Sequence, residues 1–360
     1  MKPRTTHWCY LPVPQLYRLA AGRKRDLGRV SEMLEQFFGR PVVLLNSART
    51  GLYLALAAYG LRPMDEVWVP PFLSQCVLNT VTRVCVPALH RSPRARAMIL
   101  VHQWGYPQPT EKLLAVAREN KLRVIEDCAF SMASTYRGER VGNFGDVAVF
   151  SFPKIFQMPM GGCLVTRDAR VLEFARQYLR AHGSLAWNAV SALAQGTMTL
   201  TLGTRDGRMN SFFRRCNEAL YSQYVYFPRP DKRACHLFPA TLDDMNRTFE
   251  ARRQNLARFR RQFAPGAYDP GLEADCDVVP YVVPYFGSPE VMEGVVSALR
   301  AIGVETGIYH FDVNRDMAAA DYRKCVAVPV HQGIDAGRME QICQAIATAA
   351  GGKMAAAGGG

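Results

Sequence analysis

The chain is expected to form a two-domain α/β protein with a mostly parallel sheet in its larger domain. Three observations predict this. Short apolar runs of strand length, such as Val42–Leu45, Met98–Val101 and Val147–Phe150, alternate with segments of helical period. Strands that alternate with helices need crossover connections, which make parallel pairs. The runs at Val124-Ile125 and Val147–Phe150 end in polar residues, Glu126-Asp127 and Ser151. Ligands of such sheets collect at the carboxyl ends of the strands, so Asp127, Ser151 and Lys154 are expected around one crevice. Singly, an acid at a strand end is usually a cap or an ion-pair partner, and a lysine is usually solvated. Together, and followed by Gly161-Gly162 and another β-like run, they point to a site.

Residues 1–40 read as a polar, helical lead-in, with Leu27, Val30, Leu34 and Phe38 at steps of three and four on one docking face. After the Val42–Leu45 strand, Asn46-Ser47 stands where an N-cap belongs and Leu52–Ala58 reads as a buried helix. A strand-to-helix turn of small and polar residues offers free amides and the positive helix end to an anion. The amides of Arg49 and Thr50 are the expected phosphate ligands there. Asp65–Val69 and Met98–Val101 supply further strands, and a helix over 110–120, capped by Thr110, leads into the Asp127 strand. A helix at 168–182 and a long helical region to about Tyr226 follow. The C-terminal third alternates again: a strand within Val278–Phe286, a helix opened by Ser288-Pro289, a strand at Val326–Val330 and a helix over Asp335–Ala349. The expected division is 1–230, 231–350 and a low-complexity tail, 351–360.

Composition is that of an ordinary globular protein, 49% hydrophobic and 21% charged. A membrane span is not expected, because the most apolar stretch, Ser184–Leu202, is broken by Asn188, Gln195 and several threonines. The start lacks a signal-peptide core, so a cytoplasmic location is expected. Ten scattered cysteines without CxxC or zinc spacing read as reduced thiols, and no metal is expected. The net charge of +13 invites a nucleic-acid reading. No recognition motif accompanies it, however, and the basic run Arg252–Arg261 interleaves with Met245, Phe249, Leu256, Phe259 and Phe263 as an amphipathic helix with a solvated face. No nucleic-acid partner is expected.

The order strand–Glu126-Asp127, Gly145-Asp146–strand–Ser151-Phe152, Lys154, Gly161-Gly162–strand resembles the DegT/DnrJ/EryC1/StrS family of pyridoxal-phosphate (PLP) enzymes, mostly sugar aminotransferases of fold type I. The resemblance implies that Asp127 pairs with the cofactor's ring nitrogen, that Ser151 touches its phosphate and that Lys154 carries it as a Schiff base. The residue types suit that chemistry. A carboxylate keeps the ring nitrogen protonated, and an amine alone forms a Schiff base and can then move a proton. Asp65-Glu66-Val67-Trp68-Val69-Pro70 is similar to another family strand. After it, Ser74 occupies the position of a ring-stacking aromatic, with Phe72 or Gln75 as substitutes. Phe130 stands where relatives place Gln or His near the phenolic oxygen. In GIYHFDVNRDM, His310, Asn314 and Arg315 are the implied substrate contacts, and the family implies a homodimer with a smaller C-terminal α/β domain.

The chain departs from the family pattern in four further places. Ser151-Phe152-Pro153-Lys154 is shorter than Ser-Phe-x-x-x-Lys, and Arg49 replaces a threonine. The segment between Val86 and Met98 is short, and YFPRPDKRACHLFP stands where an Asn-Tyr-Arg-Met motif is common. The implied function is transfer of an amino group from an amino-acid donor to a keto acceptor, with a nucleotide-linked keto sugar as the acceptor. The alternatives are a PLP enzyme acting on a non-sugar carbonyl, a catalytically silent regulator or assembly partner, and a PLP dehydratase. The last would carry histidine at Lys154.

Overall fold

A computed structural model describes residues 5–7, 9, 26–158, 160–182, 211–212, 215–216, 219, 223–268 and 275–351. Most of the expected helical region before Tyr226, much of the lead-in before residue 26 and the tail from 352 lie outside them.

Helix α1 (Leu27–Phe38) buries Val30, Leu34 and Phe38, the apolar stripe of its sequence, and ends at Gly39 in the left-handed conformation. Strand β1 (Val42–Leu45) leads into helix α2 (Ala48–Ala58), whose first turn is capped by the Ser47 hydroxyl accepting from the Thr50 amide. Then come β2 (Glu66–Trp68), α3 (Gln75–Val81), β3 (Val86–Ala88), β4 (Ala95–Val101), α4 (Thr110–Glu119) and β5 (Arg123–Asp127). Thr110 is not the cap of α4. Pro109 holds that position without a side-chain bond, and Thr110 is a buried first residue of the helix.

The short pair β6 (Thr135–Tyr136) and β7 (Glu139–Arg140) precedes β8 (Val147–Ser151), the single-turn helix α5 (Phe152–Ile155), β9 (Gly162–Thr166) and α6 (Ala169–Ala181). Seven strands form one sheet in the order β1-β9-β8-β5-β4-β2-β3. Its β3-β2-β4-β5-β8 portion is parallel, and β9 and β1 join antiparallel. Burial on both faces explains why these strands read as continuous apolar runs rather than alternating ones.

Helix α7 (Leu242–Arg260) begins with a capping box between Thr241 and Asp244. It lies against two apolar clusters, with Met245 and Phe249 in the one beneath α5 and Leu256 and Phe259 in the one beneath the C-terminal sheet. The expected solvated face of α7 needs one correction: Arg252 is fully buried. Beyond it lie β10 (Cys276–Asp277), β11 (Val282–Tyr285), α8 (Pro289–Ala301), β12 (Ile308–Asp312), β13 (Tyr322–Pro329) and α9 (Ala336–Ala349). The strand expected over 278–286 is confined to β11, and the one at 326–330 starts earlier. Three antiparallel strands, β11-β13-β12, form the C-terminal sheet under α8 and α9. Ser288 caps α8 and Asp335 caps α9. Among the described residues, no helix is long and apolar enough to cross a membrane.

Candidate active site

The carboxyl ends of β5 and β8 bring Asp127, Ser151 and Lys154 to one edge of the large sheet. Asp127 ends β5 with 7% of its surface exposed, and its carboxylate accepts from the Ala129 amide at 3.0 Å. Burial pushes its carboxyl up. The Ala129 amide, His102 and the Lys154 ammonium pull it the other way. Its neighbour Glu126 is a structural carboxylate, accepting from the amides of Gly142, Phe144 and Gly145 and lying 3.0 Å from His102 Nε2. The Gln108 amide donates to His102 Nδ1, which leaves Nε2 as the nitrogen that donates to Glu126. This network fixes the loop that enters β8. His102, Glu126 and Cys128 lie close enough to hold a metal, yet these bonds already occupy both Glu126 oxygens and both His102 nitrogens.

Lys154 lies in α5, the one turn that follows β8. Its Nζ stands 5.0 Å from the Phe130 ring centroid and 5.6 Å from that of Tyr281. Burial lowers its ammonium to about 8; Cys76 and Asp127 oppose the shift, and Arg49 adds to it. Phe130 therefore does not act as a hydrogen-bonding residue here; its ring forms a wall of the amine's pocket and packs on Tyr281 at 4.6 Å.

Ser151 ends β8 opposite Gly162. A Cβ on Gly162 would stand 2.7 Å from the Ala48 amide nitrogen and 2.8 Å from the Ser47 carbonyl carbon, and would also strike the Phe150 carbonyl. Only glycine lets β9 pass so close to the start of α2. Arg49 lies at that start, its guanidinium 5.2 Å from the Tyr224 ring centroid. Thr50 is buried, with its amide donating to Ser47 Oγ at 3.3 Å and its hydroxyl to Asn46 Oδ1 at 2.6 Å. Asn46 in turn donates to the Tyr224 and Phe227 carbonyls.

The remaining expected residues lie further out. Ser74 and Gln75, at the start of α3, are exposed. Phe72, 54% exposed, stacks on His310 at 4.6 Å and also meets Tyr322, so these residues join β12 and β13 to the segment after β2. Asn314 donates to the Ala319 carbonyl and Arg315 to the Pro107 carbonyl, ties that hold the β12–β13 connection.

Sequence reasoning missed three residues. Tyr281 is carried by a segment fixed through its amide to the Trp104 carbonyl at 2.7 Å. Gly105, at φ +100°, makes that approach possible, since a Cβ there would stand 2.5 Å from the Val279 carbonyl oxygen. His7 packs edge-on to Tyr281 at 6.5 Å and to Tyr309 at 5.6 Å, and burial beside the Lys154 charge lowers it to about 4. The third is Arg252. Neither Tyr281 nor His7 stands in a motif, so spacing gave no signal for them. For Arg252 the signal was its place two turns along an apolar stripe.

A large, mostly parallel sheet with a smaller antiparallel sheet after it is the fold of the fold-type I PLP aminotransferases. Solved structures bear this out. The PLP form of the putative sugar aminotransferase Spr1654 from Streptococcus pneumoniae matches over 97% of this chain and 98% of its own, with TM-score 0.72 and 16% identity. DesI, in the presence of its TDP-sugar product, matches over 97% and 94%, with TM-score 0.70 and 19% identity.

Residues 91–213 match the DegT/DnrJ/EryC1/StrS aminotransferase family. GDP-perosamine synthase of Caulobacter vibrioides is 36% identical over 146 residues, 35% of this chain and 39% of the relative. UDP-N-acetyl-3-dehydro-alpha-D-glucosamine 3-aminotransferase of Acidithiobacillus ferrooxidans is 36% identical over 159 residues, 38% and 43%. The matched stretch spans about two fifths of the length of these curated relatives.

Proposed function

We propose that this protein is a PLP-dependent aminotransferase that moves an amino group from an amino-acid donor to a keto acceptor, a nucleotide-linked keto sugar. The observation that carries the reading is Lys154, a buried amine lowered to about 8 between two aromatic rings and within the field of Asp127. The residues fit the cofactor. A buried amine suits its aldehyde and a buried carboxylate its ring nitrogen. The α2 start beside Gly162, with Arg49 and Ser151 at hand, suits its phosphate.

When bound, PLP supplies an electron sink for the carbanion at the substrate carbon. Asp127 holds the proton on the ring nitrogen. Lys154 gives and takes the proton at the carbon that exchanges nitrogen; at neutral pH about a tenth of an amine at 8 is unprotonated, against well under a thousandth at the ordinary lysine value. Phe130 and Tyr281 keep water from that amine. Because Ser47 takes the Thr50 amide, the Arg49 amide is the better phosphate donor of the two proposed. Ser74, Gln75, His310, Asn314 and Arg315 remain proposed contacts through the segments they hold in place. Keto-sugar chemistry rests on the names of the curated relatives. A homodimer, a cytoplasmic location and the division near residue 230 belong to the same proposal.

The test is covalent. After incubation with PLP and reduction by borohydride, the cofactor should be found on the Lys154 peptide, and Lys154→Ala should lose both the label and amine transfer. Label on a different lysine, or transfer that survives in Lys154→Ala, would overturn the assignment.

A further inference from the structure

Arg252 is a fully buried cation on α7 with four hydrogen-bond acceptors, none of them charged. Its Nε donates to Gln332 Oε1 at 3.1 Å and its Nη1 to the Pro280 carbonyl at 3.1 Å. Its Nη2 donates to the carbonyls of Lys154 at 3.2 Å and Ile155 at 3.0 Å. Gln332 Nε2 completes the arrangement by donating to the same Ile155 carbonyl at 2.9 Å. A surface helix needs no such residue, and a buried guanidinium without a carboxylate is unfavourable unless its donors are well placed.

The acceptors have a common theme. Lys154 and Ile155 are the last residues of the single-turn helix α5, where carbonyls lack intrahelical partners and a cation is favoured. Pro280 directly precedes Tyr281, the ring that stands 5.6 Å from Lys154 Nζ. Gln332 follows β13 of the C-terminal sheet and neighbours His331, whose Nε2 lies 3.0 Å from the Thr6 carbonyl. One planar fork thus joins the lysine turn, the Tyr281 segment and the end of the C-terminal sheet. A lysine at this position could not reach all of them, because its donors radiate from one atom.

We propose that Arg252 is the positioning residue of the Lys154 turn: its guanidinium, with Gln332, fixes the α5 carbonyls against the Pro280 carbonyl and so sets where the Lys154 amine stands against Tyr281. The inference deepens the aminotransferase reading and rests on Lys154 being its reactive amine. The charged and titratable groups that face that amine are Cys76 from α3, Arg49 from α2, Asp127 from β5 and His7 from the N-terminal segment. The Tyr281 phenol also faces it, and of these groups Tyr281 alone has Arg252 among its named charge partners.

The test uses the full chain freed of cofactor. Reductive methylation with formaldehyde and cyanoborohydride is followed at the Lys154 peptide as pH rises, and its midpoint reports the amine. In Arg252→Met and in Arg252→Lys the midpoint should move up by about one unit, a ten-fold loss of neutral amine at neutral pH, as the loosened turn gains water. A shift in Arg252→Met alone would assign the effect to charge and overturn the positioning role. Lower melting temperatures with an unchanged midpoint in both would make Arg252 merely structural. Should neither variant fold, Gln332→Ala keeps the test open: a smaller upward shift supports the role, and an unmoved midpoint sinks it. A wild type with a depressed midpoint and shifted variants that nevertheless never attaches PLP would refute the functional reading and leave this one standing.

Discussion

Asp127 carries the sharpest residue-level prediction, because its burial opposes its charge. Desolvation raises its carboxyl, so the ionised form is not there to stabilise the fold. The sign follows: a carboxyl raised in the folded state contributes most when protonated, and that contribution is lost as pH rises through the carboxylate range. Asp127→Asn keeps an oxygen for the Ala129 amide and removes the buried charge. Its melting temperature at neutral pH should therefore equal or exceed that of wild type. Single-turnover amine transfer should nevertheless fall by about 10²-fold or more, since one placed charge in a buried site is worth several kcal/mol to the transition state. A stable variant with near-normal transfer would mean that the carboxylate only finishes a strand. Asp127 itself was legible in the sequence because an acid at the end of an apolar run marks a strand's carboxyl end. Its burial was not, since that depends on segments distant in sequence, such as those that bring His102 and Lys154 beside it.

At the scale of elements, the site is made where β8, β9 and the start of α2 converge, and Gly162 is the point of closest approach. Gly162→Ala places a methyl carbon 2.7 Å from the Ala48 amide nitrogen and against the Phe150 carbonyl, both of them backbone. Neither can give way without moving β8 or α2. The substitution should cost about 3 kcal/mol or more in denaturant unfolding, beyond the usual overpacking range, and should displace the turn that opens α2. A loss of less than about 0.5 kcal/mol would show that the strand and helix are not held this close. Element existence was largely legible: the stripes of α1 and α9, the Ser47 and Ser288 caps and the apolar strands all appear where local pattern places them. The Thr110 cap was misread because Pro109 already supplies the cap's backbone geometry, which leaves the threonine to be buried.

Across the whole molecule, the Lys154 amine is held at a cost in stability. In the cofactor-free protein, Lys154 is lowered from 10.5 to about 8, so below 8 the folded state carries a proton it holds poorly. Stability is therefore reduced at neutral pH and is recovered as pH rises from about 8 towards 10.5. Lys154→Met should unfold about 1–2 kcal/mol less readily than wild type at neutral pH, a figure reduced for the partial exposure of the side chain, and the difference should close across that window. Denaturation curves taken through the alkaline range decide it. No gain at neutral pH, or a gain that widens with pH, would contradict the burial of this amine. The same region holds Arg49 and Arg252 near Lys154, so part of the chain's excess positive charge lies where an anionic cofactor would meet it.

What the sequence by itself determined is whatever depends on neighbours along the chain: the alternation of strands and helices, the caps, the mostly parallel sheet, and the spacing that put Asp127, Ser151 and Lys154 at adjacent strand ends. Such features are set by backbone periodicity and by groups a few residues apart. What only the tertiary structure decided is the surroundings of those residues. Arg252 sits in an arginine-rich run, and solvation is the default for such a residue. It is buried because Pro280 and Gln332, 28 and 80 residues further on, bring it uncharged oxygens. His7 and Tyr281 reach Lys154 in the same way, from opposite ends of the chain. Phe72, which the family pattern offered as a ring-stacking substitute, instead finds His310 on a different sheet. Burial and charge compensation are properties of packed surfaces, and a sequence orders its residues along one dimension while packing matches them in three.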